Sequence, residues 1–261
     1  MEARTLVIGL AHLAPTLGAL DDNRALLDRA TATAAGAGCG WVVSGELVTT
    51  GYDFVPSLGV EWVESLDAGW ASAYAATTSR LGIASFVQLP VRDELGVLRS
   101  SLVAIDGSGA PVGRHDKIAV IPGAESWATP GDDASPVTVD GLSVGLLVCA
   151  DAHPPGIADL LAERGADLFV SSAAWAPGHH GPDGEWESIS ARTGRPVVVC
   201  NRTGPDRRLD FTGASSAVAI GGERVLDLVS DTSVVFVVEL AWAGDGSVTA
   251  RYLDTLPVPP R

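Results

Sequence analysis

Short apolar runs rich in β-branched residues alternate with helical patterns along the whole sequence, and that alternation limits the fold more than any single motif. The runs include "TLVIGLA", "WVVS", "GIASFVQL", "SLVAI", "SVGLLVC", "DLFVSSA", "PVVVCN", "SSAVAI" and "SVVFVVEL". Helical spacing shows in "NRALLDRATATAAGAG", where Leu26, Leu27 and Ala30 share a face, and in "VEWVESLDAGWASAYAATTSRLG" and "GIADLLAERGA". Asp22 or Asn23 is expected to cap the first helix, and Gly36 or Gly38 to end it. Strand, helix, strand in this order implies a layered α/β domain. Turn signals at Asp106-Gly107, Gly221-Gly222 and Asp245-Gly246 add antiparallel hairpins. With no internal repeat or low-complexity linker, one domain over residues 1–261 is expected, with a short extended tail at about 255–261.

Composition narrows the function. With 46% apolar and 19% charged residues in 261, the chain can bury a sizeable core. Its 17 Lys+Arg against 32 Asp+Glu give a net charge of −15, which repels phosphate backbones and anionic membrane surfaces, so neither nucleic acid nor membrane is an expected partner. Cys39, Cys149 and Cys200 are odd in number and lack CxxC spacing, so no disulfide framework or Cys-rich zinc site is expected. The opening "MEARTLVIGLAHLAP" reads as a first strand rather than a signal peptide, since His12 and Pro15 interrupt it. No run reaches the roughly 20 apolar residues of a membrane span. A soluble, cytoplasmic protein is the expectation.

The run "SVGLLVCADAHPPG" ends on Cys149 and is halted by Pro154-Pro155-Gly156, leaving the thiol at a strand tip. A free thiol of pKa about 8.5 is a poor nucleophile without a base or cation beside it. The histidines offer no clear partner: His153 follows along a tight turn, His115 precedes a lysine, and His179-His180 sit in a Gly/Pro-rich loop where adjacent rings point apart. Carboxylates and a lysine do stand at other tips. Glu46 follows the strand in "WVVSGELVTTGYDF", ahead of Gly51-Tyr52. Lys117 lies in "PVGRHDKIAVIPGAESWATPGDD", followed by Glu125 in a loop closed by Pro130-Gly131. Taken singly, a core cysteine and a solvated edge lysine are the ordinary readings. Taken together, converging tips assemble a site.

The order Glu46 in "GELVTTGY", Lys117 in "GRHDKI" and Cys149 in "VCAD" resembles the nitrilase superfamily of carbon–nitrogen hydrolases, and "RGADLFVSSAAW", "VVVCNRTG" and "FTGASSAVAIGGERVL" extend the likeness over nearly the whole chain. The resemblance implies a four-layer αββα sandwich of two mixed β-sheets. It implies Cys149 as nucleophile, Glu46 as general base, and Lys117 with the Ala150 N–H as oxyanion donors. Glu125 would position Lys117 or the substrate nitrogen; Tyr52, Ala174 and Trp175 would line the pocket. No metal or organic cofactor is required. "CAD" resembles the Cys-x-Asp of amidases and carbamoylases more than the Cys-Trp-Glu of nitrilases, so a small linear amide is the expected substrate, with a ureido compound or acyl transfer to an amine as alternatives, and behind these a nitrile substrate or a catalytically silent binding member. A homodimer or larger homo-oligomer is also implied. The chain departs from the family at Gly45, where proline is common, and at Ala150, His153, Pro154, Pro155 and Gly156 around the cysteine. It has no G-x-S-x-G, G-x-G-x-x-G, P-loop or H-E-x-x-H motif, so serine hydrolase, dinucleotide, NTPase and zincin readings lack their residues.

Overall fold

The computed structural model describes residues 3–177 and 184–259; His179 and His180 lie outside them. In chain order the strands are β1 (Arg4–His12), β2 (Trp41–Ser44), β3 (Ala84–Arg92), β4 (Leu98–Ile105), β5 (Pro111–Asp116), β6 (Val137–Val139) and β7 (Leu142–Val148). They continue as β8 (Leu168–Ala173), β9 (Val197–Asn201), β10 (Ser215–Ile220), β11 (Glu223–Val229), β12 (Val234–Trp242) and β13 (Val248–Pro257). The helices are α1 (Leu20–Gly36), α2 (Val55–Leu58), α3 (Gly69–Leu81), α4 (Pro155–Glu163) and α5 (Glu185–Thr193). None of the described helices is long and apolar enough to cross a membrane.

Two mixed sheets result, ordered β13-β12-β1-β2-β3-β4-β5 and β11-β10-β9-β8-β7-β6. Each has a parallel centre, β1-β2-β3 in one and β7-β8-β9 in the other, flanked by antiparallel strands. The three hairpin signals close β4–β5, β10–β11 and β12–β13, as their turn chemistry requires. Strand alternation sorts the core into layers: Trp41 and Val43 of β2 join residues of both sheets between them, while Val42 packs with Leu27, Ala30 and Ala34 of α1. The Trp41 indole also donates to Asp140 Oδ2 at 2.7 Å, fastening the first sheet to the β6–β7 turn. The αββα sandwich implied by the resemblance is the fold found.

Three local expectations need correction. Asn23 does not cap α1, which starts at Leu20; its amide faces back to Thr16, accepting from the Thr16 N–H at 2.8 Å and donating to the Thr16 and Thr49 carbonyls. The helical spacing in residues 60–68 is not realised, because Arg92 at the end of β3 holds that segment by donating to the Val60 and Val63 carbonyls. Residues 255–257 are not a free tail: Thr255, Leu256 and Pro257 pair with Phe236, Val235 and Val234, and Val258 is buried. Helix α5, which the sequence reading left out, is amphipathic, with Trp186, Ile189 and Ser190 buried.

Candidate active site

Strands β2, β3, β5, β7, β8 and β9 all point the same way within their sheets, so the residues just after them gather at one end of the sandwich, where α/β sheets place reactive groups. Glu46 follows β2, Lys117 follows β5, Cys149 follows β7, and Ala174-Trp175 follow β8. The two sheets are sewn together there: Ser172 Oγ donates to the Ser44 carbonyl at 2.7 Å, and the Glu46 N–H to the Ala173 carbonyl at 3.0 Å. This close approach explains Gly45. A Cβ at that position would stand 3.0 Å from the Arg202 nitrogen and 3.3 Å from the Ala173 oxygen, both backbone atoms.

At the centre, Lys117 Nζ donates to Glu46 Oε1 at 2.7 Å and to Glu125 Oε1 at 2.6 Å. All three side chains are buried. Tyr52 Oη donates to the same Glu125 oxygen at 2.9 Å, and the Ile121 N–H reaches Glu125 Oε2. Burial penalises the Lys117 ammonium, but the neighbouring carboxylates of Glu46 and Glu125 outweigh it and hold the lysine firmly protonated. Burial pushes Glu46 up to about 7, against the pull of Lys117. Burial first, then the nearby Glu46 charge, raises the Cys149 thiol well above its ordinary value, with Lys117 opposing. The thiol therefore rests protonated. Glu46 Oε2 has no hydrogen-bond partner among the described residues, and the Cys149 side chain stands beside that carboxylate. A carboxylate poised near neutrality next to a reluctant thiol is the arrangement general-base catalysis uses.

Cys149 opens a 3-10 turn (Cys149–Ala152) with φ 47°, a left-handed conformation that costs a non-glycine residue roughly 1–2 kcal/mol. Asp151 holds it there. Its Oδ2 accepts the Val148 N–H at 3.0 Å and His115 Nε2 at 2.8 Å, while its Oδ1 accepts the N–H groups of Ile118 and Ala119. One carboxylate thus ties the cysteine's turn to the segment following Lys117. Burial opposes its charge, but the hydrogen bond from His115 and the backbone donors hold Asp151 below the usual carboxylate range. As Asp151 can only accept, Nε2 is the protonated nitrogen of His115. In this turn the Ala150 N–H is among those left without an intrahelical acceptor, and the Ala174 N–H is directed at the Cys149 sulfur.

On the other flank, Trp175 is anchored through both of its backbone groups to the Asn201 amide and is buried in the same apolar cluster as Cys149. Its ring stacks on Trp186 at 4.9 Å and on His153 at 5.0 Å, and His153 Nδ1 lies 3.3 Å from Glu185 Oε1. So the candidates Glu46, Lys117, Glu125, Tyr52, Cys149, Ala150, Ala174 and Trp175 all fall at this end of the fold. His12, at the same end of β1, bonds Ser216 and the Ser230 carbonyl and not this cluster. Gln88 escaped the sequence reading. Fully buried, it accepts the Leu47 N–H at 2.6 Å and donates to Ser100 Oγ. An amide inside the apolar run "SFVQLPV" was its signal. Another went unused: of the 17 Lys+Arg, Lys117 is the only lysine.

The carbon–nitrogen hydrolase family model matches residues 7–244. A hydrolase from the pqqF 5′ region of Pseudomonas protegens is 26% identical over 217 residues, covering 80% of this chain and 75% of that protein. A hydrolase of Mycobacterium tuberculosis is 28% identical over 184 residues, covering 66% of this chain and 65% of its own length. Among solved structures, a nitrilase-superfamily amidase from Nesterenkonia AN1 superposes with a TM-score of 0.79 at 22% identity, covering 92% of both chains. A mutant of that amidase in complex with butyramide gives 0.80 at 24% identity over 90% of each. Another mutant carries the acetamide moiety of fluoroacetamide on its active-site cysteine, with a TM-score of 0.80, 24% identity and 90% of each chain covered. With two thirds of its length and more aligned to one family model, this chain belongs to the carbon–nitrogen hydrolase family.

Proposed function

We propose that the chain hydrolyses the C–N bond of a small linear amide through a thioester on Cys149. Glu46 takes the thiol proton as the sulfur attacks the carbonyl carbon, and the carbonyl electron pair moves onto oxygen. Lys117 Nζ and the Ala150 N–H stabilise that oxyanion, each donor being worth about 3 kcal/mol of barrier. As the tetrahedral species collapses, the C–N bond breaks and Glu46 passes its proton to the departing nitrogen. Water then attacks the thioester, Glu46 accepts its proton, and the sulfur leaves and is reprotonated. The balance is one amide and one water giving one carboxylic acid and one amine or ammonia. Glu125 and Tyr52 keep the ammonium in place.

The observation that carries this reading is Lys117 clamped at 2.7 and 2.6 Å between two buried carboxylates beside a cysteine in a left-handed turn. The butyramide and fluoroacetamide complexes of the Nesterenkonia amidase make small amides the first substrates to try. Ureido acids belong in the same panel, because the sequence "CAD" resembles carbamoylases as well as amidases.

Intact-mass spectrometry of wild type and Cys149→Ala after brief exposure to the panel, with ammonia followed in parallel, is the test. An acyl adduct and ammonia release from wild type alone are expected. Equal ammonia release by Cys149→Ala would refute the thioester route. Product analysis with added hydroxylamine tells hydrolysis from acyl transfer.

A further inference from the structure

A pocket of about 190 Å³ opens beside the catalytic cluster, lined by Tyr52, Asp53, Ala124, Asp206, Arg208 and Leu209. Its inner wall is part of that cluster: Tyr52 donates to Glu125, and Ala124 directly precedes Glu125. Its rim carries a cation. Arg208 is 72% exposed and uses only Nε, which donates to Asp53 Oδ2 at 2.9 Å; its two Nη groups make no hydrogen bond or ion pair among the described residues. In a chain of net charge −15, Arg207-Arg208 is the only place where two residues of the Lys/Arg type are adjacent.

The mounting is rigid. Asp206 accepts the backbone N–H groups of Tyr52, Asp53 and Arg207 at 2.8, 3.2 and 2.8 Å, so one carboxylate ties together the two segments that carry Asp53 and Arg208. Asp206 is fixed in turn by buried Arg202 at 2.8 Å, whose guanidinium lies 4.5 Å over the Phe211 ring. The loop between is closed by Asp206 N–H to the Leu209 carbonyl and by the Pro205–Asp210 bridge.

On the reading that Cys149 cleaves small amides, we propose that Arg208 selects substrates bearing a carboxylate at the end remote from the scissile amide. Asp53 holds the Nε edge of the guanidinium and orients it, leaving the Nη edge to form a two-point contact with a carboxylate. The small volume admits a short acid-amide, such as the monoamide of a four- or five-carbon dicarboxylic acid, and not a polymer. Negative charge spread over the rest of the surface disfavours anions at long range, so this contact acts as a local filter at the mouth.

The test compares succinamate with butyramide, which differ by a carboxylate in place of a methyl, on wild type, Arg208→Gln and Arg207→Gln. Wild type is expected to favour succinamate in kcat/KM by about tenfold or more, the scale of one charge-assisted hydrogen-bonded contact. Arg208→Gln should erase that preference through a raised KM for succinamate, while Arg207→Gln, removing the same charge one residue away, keeps it. Equal use of the two amides by wild type, or an equal loss for both in Arg208→Gln, would overturn the proposal. Calorimetric binding to Cys149→Ala separates it from the reaction. Binding of succinamate that depends on Arg208, with no turnover by wild type, would sink the reaction and keep the pocket; turnover without that dependence would do the reverse.

Discussion

Two strand ends face each other across the sandwich, and both finish in a left-handed residue that is not glycine: Leu47, φ 51°, after Glu46, and Cys149, φ 47°. Their restraints differ. A neutral amide, Gln88, holds the Leu47 N–H on the glutamate side, whereas a charged carboxylate, Asp151, holds the cysteine side through three backbone donors and a buried histidine. The difference follows from what the proposed mechanism asks of each end. There Glu46 changes its charge near neutrality, and a fixed anion in addition to Glu125 would push its proton affinity higher still. Cys149 needs its turn and the lysine segment locked together, and a carboxylate with two oxygens can accept from both.

Lys117→Met tests what the two ends share and should have the largest effect. Losing one oxyanion donor lowers kcat by about 10²–10³-fold. Leaving Glu46 and Glu125 buried without their cation costs about 3–5 kcal/mol, read from the denaturation midpoint, though protonation of a glutamate at low pH recovers part of it. Next comes Asp151→Asn. The variant amide presents an NH₂ where donors already converge, so one or two buried N–H groups lose their acceptor at about 1–3 kcal/mol each, and kcat falls more than KM rises because the nucleophile is misplaced. An unchanged kcat there would break the contrast between the two ends.

A pH profile of kcat/KM sharpens the glutamate side. Glu46 must be ionised to act as base, so activity should decline as pH falls through about 7 and level off above it. For stability the sign is opposite. Because the folded-state pKa lies above the unfolded one, the stabilising contribution of Glu46 is complete below about 4.5 and disappears as pH rises through about 7. The smallest effect is expected for Gln88→Leu. It orphans one buried N–H at about 1–3 kcal/mol of stability and keeps the pH midpoint, since no charge is removed. A midpoint displaced as far as by a charge-altering variant would show that Gln88 does more than hold the backbone.

How much of this was legible in the sequence depended on the range of each interaction. Strands and hairpins were readable because alternation and turn chemistry are local, as at Asp245-Gly246 between β12 and β13. Glu46, Lys117 and Cys149 were readable because each stands within two residues of a strand's end. The restraints were not. Gln88 and Leu47 are 41 residues apart, and His115 and Asp151 are 36 apart, so nothing in either neighbourhood names the partner. Residues 60–68 failed for the same reason: their spacing suits a helix, but a distant arginine, Arg92, settled their backbone. The tail failed through long-range pairing with β12.

The single lysine has a practical consequence. An endoprotease that cuts only after lysine has one site in this sequence, the Lys117–Ile118 bond, and in the native fold that side chain is fully buried between two carboxylates. Cleavage into residues 1–117 and 118–261 therefore requires the catalytic cluster itself to open, and its rate at low denaturant measures the free energy of that opening. The group placed at the heart of the site doubles as the chain's built-in reporter of when the site comes apart.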